Sequence, residues 1–166
     1  LPKDGGLKEQ GLPNGIKHAF ETIPAHIYED EVAASERLAE KIVESINNCD
    51  GVFKLGLTTG SSPVELYKAL VRRYNAGELS FRNVEIYSID EYYPAPADEF
   101  SRNRRLYSEL VSKVDINKAN VHVPKLTEVK DSEFVTEFCS EYDRKATGLD
   151  LLIMGTGEKG EIGFNE

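Results

Sequence analysis

Three short segments hold the residues whose types and spacing could do chemistry. The first is Thr58-Thr-Gly-Ser-Ser-Pro63, a glycine flanked by hydroxyls between an apolar run and a helical pattern. Gly60 allows close backbone approach to an anion. Thr59, Ser61 and Ser62 add donors, and the start of the following helix adds free N–H groups and partial positive charge. The lysine of a Walker loop is absent. The second is Ile89-Asp90-Glu91-Tyr92-Tyr93-Pro94, two adjacent carboxylates after an apolar strand pattern. At strand spacing their side chains point to opposite faces, so one can reach a substrate while the other is anchored in protein. A carboxylate needs partial desolvation to work as a base. The third is the glycine-rich run at 155–166, which carries Glu158, Lys159, Glu161 and Glu166. Taken singly, each segment also reads more blandly: a capped helix start, a solvated acidic turn, a polar surface loop.

The elements around these segments must position them. Residues 25–29 read as a short strand, and 31–46 as an amphipathic helix with Val32, Ser35, Leu38, Ala39, Ile42 and Ile46 on one stripe. A strand at 52–57 leads into the first segment. Ser62 suits the cap of a helix at 64–74, and Pro63 suits its first turn. A strand at 84–89 leads into the carboxylate pair and a proline-containing loop at 90–100. A helix at 103–114, a turn at 115–120 and a strand at 121–123 follow. A helix at 131–146 has Phe134, Val135, Phe138 and Tyr142 facing inward, and 149–154 reads as a buried strand leading into the third segment. Alternating strands and helices predict an α/β fold, a three-layer parallel-sheet, modified Rossmann-like domain. Strands of such a sheet end at one edge, so the three segments should meet there. Residues 1–17, rich in Gly, Lys and Pro, read as a flexible N-terminal arm, and 18–166 as part of one domain.

Bulk properties narrow the classes. The 166 residues are 40% hydrophobic and 30% charged, with a net charge of −9. That balance is expected of a soluble globular chain. There is no Lys/Arg-rich stripe to track a phosphate backbone, so nucleic acid is not an expected partner. The apolar runs are too short for a membrane span. Cys49 and Cys139 fit no short metal-ligand spacing and read as reduced thiols, which points to the cytoplasm. His18, His26 and His122 are isolated and read as surface or strand histidines.

The segments Leu55-Gly-Leu-Thr-Thr-Gly-Ser-Ser-Pro63, Tyr87-Ser-Ile-Asp-Glu-Tyr92 and Leu151-Leu-Ile-Met-Gly-Thr-Gly-Glu-Lys-Gly-Glu-Ile-Gly-Phe-Asn-Glu166 resemble, in order, the motifs of the glucosamine-6-phosphate deaminase/isomerase family. The Gly-Phe-Asn-Glu ending favours the deaminases over the related 6-phosphogluconolactonases. Ser101-Arg-Asn-Arg-Arg-Leu106 is less deaminase-like and keeps the lactone-hydrolase alternative open, as does the third reading, a non-catalytic sugar-phosphate-binding domain. The resemblance implies conversion of glucosamine 6-phosphate to fructose 6-phosphate and ammonia, with no metal and no cofactor. It implies that Thr59, Gly60, Ser61 and Ser62 line the sugar-phosphate pocket. Asp90 becomes the proton-shuttling base with Glu91 beside it, and Glu166 supports the ring-opening group. Members of the family are often homo-oligomers.

Two departures qualify that picture. The family usually has Asp-Gly-His where this chain has Lys159-Gly160-Glu161. Glu161 thus stands in the place of the ring-opening histidine, and Lys159 in that of its partnering aspartate. The expected consequence is a replacement ion pair, with a carboxylate as a poorer acid than imidazole, and weak or altered activity. Family enzymes also continue well beyond this length, so the domain is expected to be incomplete at its C-terminus.

Overall fold

A computed structural model describes residues 26–157 and 159–163. The expected arm at 1–17, together with His18, Glu158 and Glu166, lies outside the described residues.

Helix α1 (Glu31–Asn47) begins where Asp30 accepts the Ala33 N–H at 2.8 Å. This side-chain cap satisfies one of the unpaired donors of the first turn. Strand β1 (Phe53–Leu57), helix α2 (Val64–Asn75) and strand β2 (Val84–Ser88) follow. A short helix α3 (Arg104–Glu109) and two 3-10 turns, Val111–Lys113 and Lys118–Asn120, lead to β3 (Val121–His122). Helix α4 (Ser132–Lys145) is capped by Asp131 and precedes β4 (Leu151–Ile153). The strand expected at 25–29 is not formed over 26–29, which run as coil into the Asp30 cap. The helix expected at 103–114 is broken at Leu110, where φ is −128° and ψ is −67°. Those angles leave the helical region.

The four strands are parallel in the order β3-β2-β1-β4. The chain steps from β1 outward to β2 and β3, then returns to the far side of β1. Right-handed crossovers therefore put α4 on the opposite face of the sheet from α2. Alternation along β2 matches this. Ile86 is fully buried in the core with α1, α2 and α3, whereas the Tyr87 ring lies 6.4 Å from that of Tyr142 on α4. Three layers result.

The layers are unequally packed. Ala39, Ile42, Leu55, Leu57, Tyr67, Leu70, Phe81 and Ile86 are fully buried between the sheet and α1, α2 and α3. Val32, expected on the buried stripe of α1, sits in the first turn of the helix and is exposed. On the other face α4 has no buried residue, and Phe134, expected inward, is 45% exposed. Strand β4, expected to be buried, pairs with β1 alone among the described residues and so lies at the edge of their sheet, with Leu152 41% exposed. No helix among the described residues is long and apolar enough to cross a membrane.

Candidate active site

Strands β2, β1 and β4 are neighbours, so the segments after their carboxyl ends lie side by side. The chain leaves β1 toward β2 on one side and comes back as β4 on the other. That reversal is where open parallel sheets form ligand crevices.

After β1 the backbone turns sharply through Gly60, whose φ is +86°. That is the left-handed region, which a side chain disfavours. Thr58 and Thr59 are buried and Ser61 and Ser62 exposed. Ser62 does not cap α2. A turn closed by the Val64 N–H on the Ser61 carbonyl (3.3 Å) moves the capping position to Pro63, which offers no side-chain acceptor. The fully buried Tyr67 clamps this turn to its helix by donating its phenol hydrogen to the Thr58 carbonyl at 2.5 Å. Burial pushes that phenol well above its ordinary range, so it remains a donor.

The two carboxylates after β2 have different surroundings. Glu91 is fully engaged. Oε1 accepts the backbone N–H groups of Tyr92 (2.9 Å) and Arg102 (3.1 Å), and Oε2 accepts Asn103 Nδ2 (3.0 Å) and the Ser101 hydroxyl. Burial pushes the Glu91 carboxyl up, but these four hydrogen bonds together outweigh it and hold the group below the usual carboxylate range. Asp90 is buried, its side chain only 10% exposed. Its Oδ1 accepts the Thr59 hydroxyl at 2.6 Å and lies 3.2 Å from Arg102 Nε. Its Oδ2 is enclosed and has no hydrogen-bond partner among the described residues. An unsatisfied buried acceptor costs about 1–3 kcal/mol. A buried carboxylate with one oxygen held and the other unspent can take a proton from a bound molecule.

The third segment folds back on itself. The Gly157 N–H donates to the Glu161 carbonyl (2.8 Å), and Thr156 bridges Ile162 in antiparallel fashion. It packs on the other two. A β-carbon placed on Gly155 would lie 3.6 Å from Ser62 Cβ, and one on Gly163 would lie 3.6 Å from Asp90 Oδ2. The expected side-chain ion pair between Lys159 and Glu161 is not formed. The tight turn brings the Glu161 carboxylate onto the main-chain N–H of Lys159 instead, at 3.0 Å, and Lys159 is exposed. Thr59, Gly60, Asp90 and Glu91 thus come together through Arg102 and Asn103. The third segment reaches them through Gly155 beside Ser62 and Gly163 beside Asp90, and Glu161 bonds within its own loop.

Residues 101–103 belong to the site and were not singled out as site residues by sequence. Asn103 is 1% exposed and spans both acidic positions, donating to the Asp90 carbonyl and to Glu91, each at 3.0 Å. Arg102 Nε points at Thr59 Oγ1 (3.1 Å) as well as at Asp90, and its carbonyl accepts the Gly60 N–H at 3.4 Å. The available signal was a cluster of three arginines within four residues of an acidic chain, at 102, 104 and 105.

Known proteins resemble this chain in sequence and in fold. The chain is 36% identical over 146 residues to a glucosamine-6-phosphate deaminase of Pseudoalteromonas translucida, a match covering 84% of this chain and 52% of that protein. It is 37% identical over 147 residues to a glucosamine-6-phosphate deaminase of Caenorhabditis elegans, covering 84% and 54%. The chain thus spans about half the length of these curated relatives. Among solved structures, a monomeric glucosamine-6-phosphate deaminase shares the fold with a TM-score of 0.74 at 24% identity, covering 84% of this chain and 57% of that one. The 6-phosphogluconolactonase of Thermotoga maritima superposes with a TM-score of 0.64 at 25% identity, covering 82% and 61%. The model of the glucosamine-6-phosphate isomerases/6-phosphogluconolactonase family matches residues 29–162, including the glycine turn, the carboxylate pair and most of the third segment, and the chain belongs to that family.

Proposed function

We propose that this site converts glucosamine 6-phosphate to fructose 6-phosphate and ammonia. The observation that carries the reading is the buried Asp90 carboxylate, with Oδ1 held by Thr59 and the enclosed Oδ2 left without a hydrogen-bond partner among the described residues. In the open-chain sugar, Oδ2 takes the proton from C2 and returns it to C1. A second proton passes from the amine nitrogen to O1, so that the aldehyde carbon becomes an alcohol carbon and C2 becomes an imine. Water adds to the imine, and ammonia leaves to give the ketone. Thr59, Gly60, Ser61 and Ser62 line the sugar-phosphate pocket in this reading. Glu91 acts through its neighbours, since all its hydrogen bonds go to protein. Glu161 stands in the place of the ring-opening group, and Glu166, beyond the described residues, supports it. Two free thiols, Cys49 and Cys139, suit a reducing cytoplasm. Homo-oligomerisation is the family expectation, measured by light scattering.

The test is ammonia release from glucosamine 6-phosphate by the intact protein and by its Asp90→Asn variant. Removal of a positioned base lowers turnover by about 10²–10⁴-fold. Retention of more than a tenth of the activity would show that Asp90 is not the base. The lactone-hydrolase reading draws on the arginine-rich 101–106 segment, which brings a guanidinium to Asp90. Hydrolysis of a sugar-phosphate lactone without ammonia release selects it. Tight sugar-phosphate binding with neither reaction selects a binding domain.

A further inference from the structure

We propose that Arg102 is the positioning residue of the Asp90 base, locking Oδ1 so that Oδ2 is the oxygen left without a protein donor for proton transfer; this rests on the reading of Asp90 given above. The geometry ties Arg102 to both of the segments that must stay in register. Its carbonyl holds the Gly60 N–H of the glycine turn at 3.4 Å. Its Nε–H lies between Thr59 Oγ1 at 3.1 Å and Asp90 Oδ1 at 3.2 Å. Thr59 completes a triangle by donating its own hydrogen to the same Oδ1 at 2.6 Å. Two donors therefore converge on one carboxylate oxygen, and among the described residues none reaches the other. A carboxylate held through a single oxygen by two fixed donors cannot rotate to exchange its oxygens without breaking both bonds.

The guanidinium is itself fixed. Its side chain is 26% exposed, its carbon lies 5.7 Å from the centre of the Tyr92 ring, and its backbone N–H is bonded to Glu91. The flanking Ser101 and Asn103 bind Glu91 as well. The 101–103 segment is thus a strap across the carboxylate pair, and Arg102 is the member that reaches Asp90. A planar guanidinium suits this task better than an ammonium, because its N–H directions are rigid and it keeps its charge throughout the working pH range. Chemistry at the base is sensitive to placement: an error of about 1 Å can cost about 10²-fold in turnover.

The experiment uses the intact protein and the variants Arg102→Met and Arg102→Lys. Steady-state ammonia release from glucosamine 6-phosphate is measured with and without added guanidinium ion. Loss of positioning lowers kcat by about 10²-fold while KM stays within about 3-fold, since the substrate contacts are untouched. Guanidinium restores part of the activity of Arg102→Met, and Arg102→Lys remains impaired. A raised KM at unchanged kcat would make Arg102 a substrate-binding residue and overturn the proposal, as would full activity in Arg102→Met. A second readout needs no turnover. In thermal unfolding, Asp90→Asn lowers the midpoint in the wild-type background and does not lower it in the Arg102→Met background, because the paired charge is already gone. Additive shifts would show that the two side chains are uncoupled and would also overturn the proposal. If the intact protein releases no ammonia, the deaminase reading fails alone, and the unfolding cycle still decides the role of Arg102.

Discussion

The two faces of the sheet are built to different standards. On the α1/α2/α3 face, aliphatic and aromatic side chains are wholly enclosed, and Glu36 pairs with Arg72 and Arg73 across α1 and α2. On the α4 face the helix is amphipathic but has no buried residue. It lies over a groove of about 370 Å³ lined by Asp90, Glu91, Tyr87, Val135, Phe138 and Tyr142, among others. The main hold there is the Tyr142 hydroxyl, 2.7 Å from the Ser88 carbonyl and 3.1 Å from the His122 carbonyl. The candidate base sits with the well-packed face. Asp90, Thr59 and Arg102 come from segments on β1, β2 and the approach to α3. The third segment, with Glu161, comes from the edge strand β4. The hydrogen bonds that hold the candidate base come from the dense side, although Asp90 also borders the groove under α4, whereas the third segment depends on the thinner side.

Truncating a residue on the dense face tests this contrast with the largest expected effect. Leu57 is fully buried at the end of β1, directly before the glycine turn. Leu57→Ala should cost about 2–5 kcal/mol in denaturant unfolding, the range for an aliphatic cavity in a packed core. A cost under about 1 kcal/mol would mean that the core relaxes around the site, and the contrast between the faces would collapse.

Gly56 lies on the seam between the two regions. A β-carbon there would stand 2.5 Å from Leu152 Cδ1 and 2.9 Å from Leu149 Cδ1. Both atoms are side-chain ends, and Leu152 is 41% exposed, so they can swing outward. Gly56→Val should therefore cost less than the cavity, about 1–3 kcal/mol for overpacking. Its damage should be local. Amide exchange should quicken in β4, which pairs only with β1, while β2 stays protected. Equal loss in both strands would show that β4 is as integral to the sheet as β2.

How much of this was legible in the sequence follows the same division. Strands β1 and β2 and helices α1 and α2 lie within about one residue of their expected bounds, because both local pattern and burial act on them. The divergence of Asp90 and Glu91 was legible from the period of a strand. The 3.6-residue pattern of α4 was equally clear, but periodicity shows that a helix has an apolar stripe, not that something covers it. Leu149-Asp-Leu-Leu-Ile-Met154 reads as buried from composition, yet its place at the sheet edge is a matter of topology. Arg102 was hidden for another reason. Its link to Asp90 spans 12 residues of irregular loop, where no repeat reports which side chains return to which strand. Ser62 failed as a cap because a turn one residue earlier shifted the helix start, a displacement that local propensity does not resolve.

A smaller effect separates charge from packing within the site. The Glu91 carboxyl is held below its ordinary range in the folded chain, its hydrogen bonds outweighing burial. A depressed folded value means that the stabilisation is complete above the unfolded glutamate value of about 4.3 and is lost as pH falls below it, through the folded value. Glu36, held down first by its hydrogen bond from Arg72, adds to the same fall. Glu91→Gln should therefore lower the unfolding midpoint at pH 7 and flatten, without abolishing, the decline below about pH 4. An unchanged acid limb would show that the four hydrogen bonds to Glu91 do not discriminate its charged form.

The smallest expected effect is also the sharpest test of the open face. Phe134 lies on the stripe of α4 that sequence pattern places inward, yet it is 45% exposed, with Lys130 Nζ 5.7 Å from its ring centre. Phe134→Ala removes a ring with water on much of its surface, a change that typically falls within about 0.5 kcal/mol. A buried phenylalanine would instead cost about 3–5 kcal/mol. The two values are well separated, so a single denaturation curve decides between them. A near-zero result confirms that the Phe134 side of α4 is open to water, leaving Tyr142 as the helix's hold on the sheet. A cost of several kcal/mol would show that Phe134 is covered in solution, and the third segment would then rest on a face as firm as the one that carries Asp90.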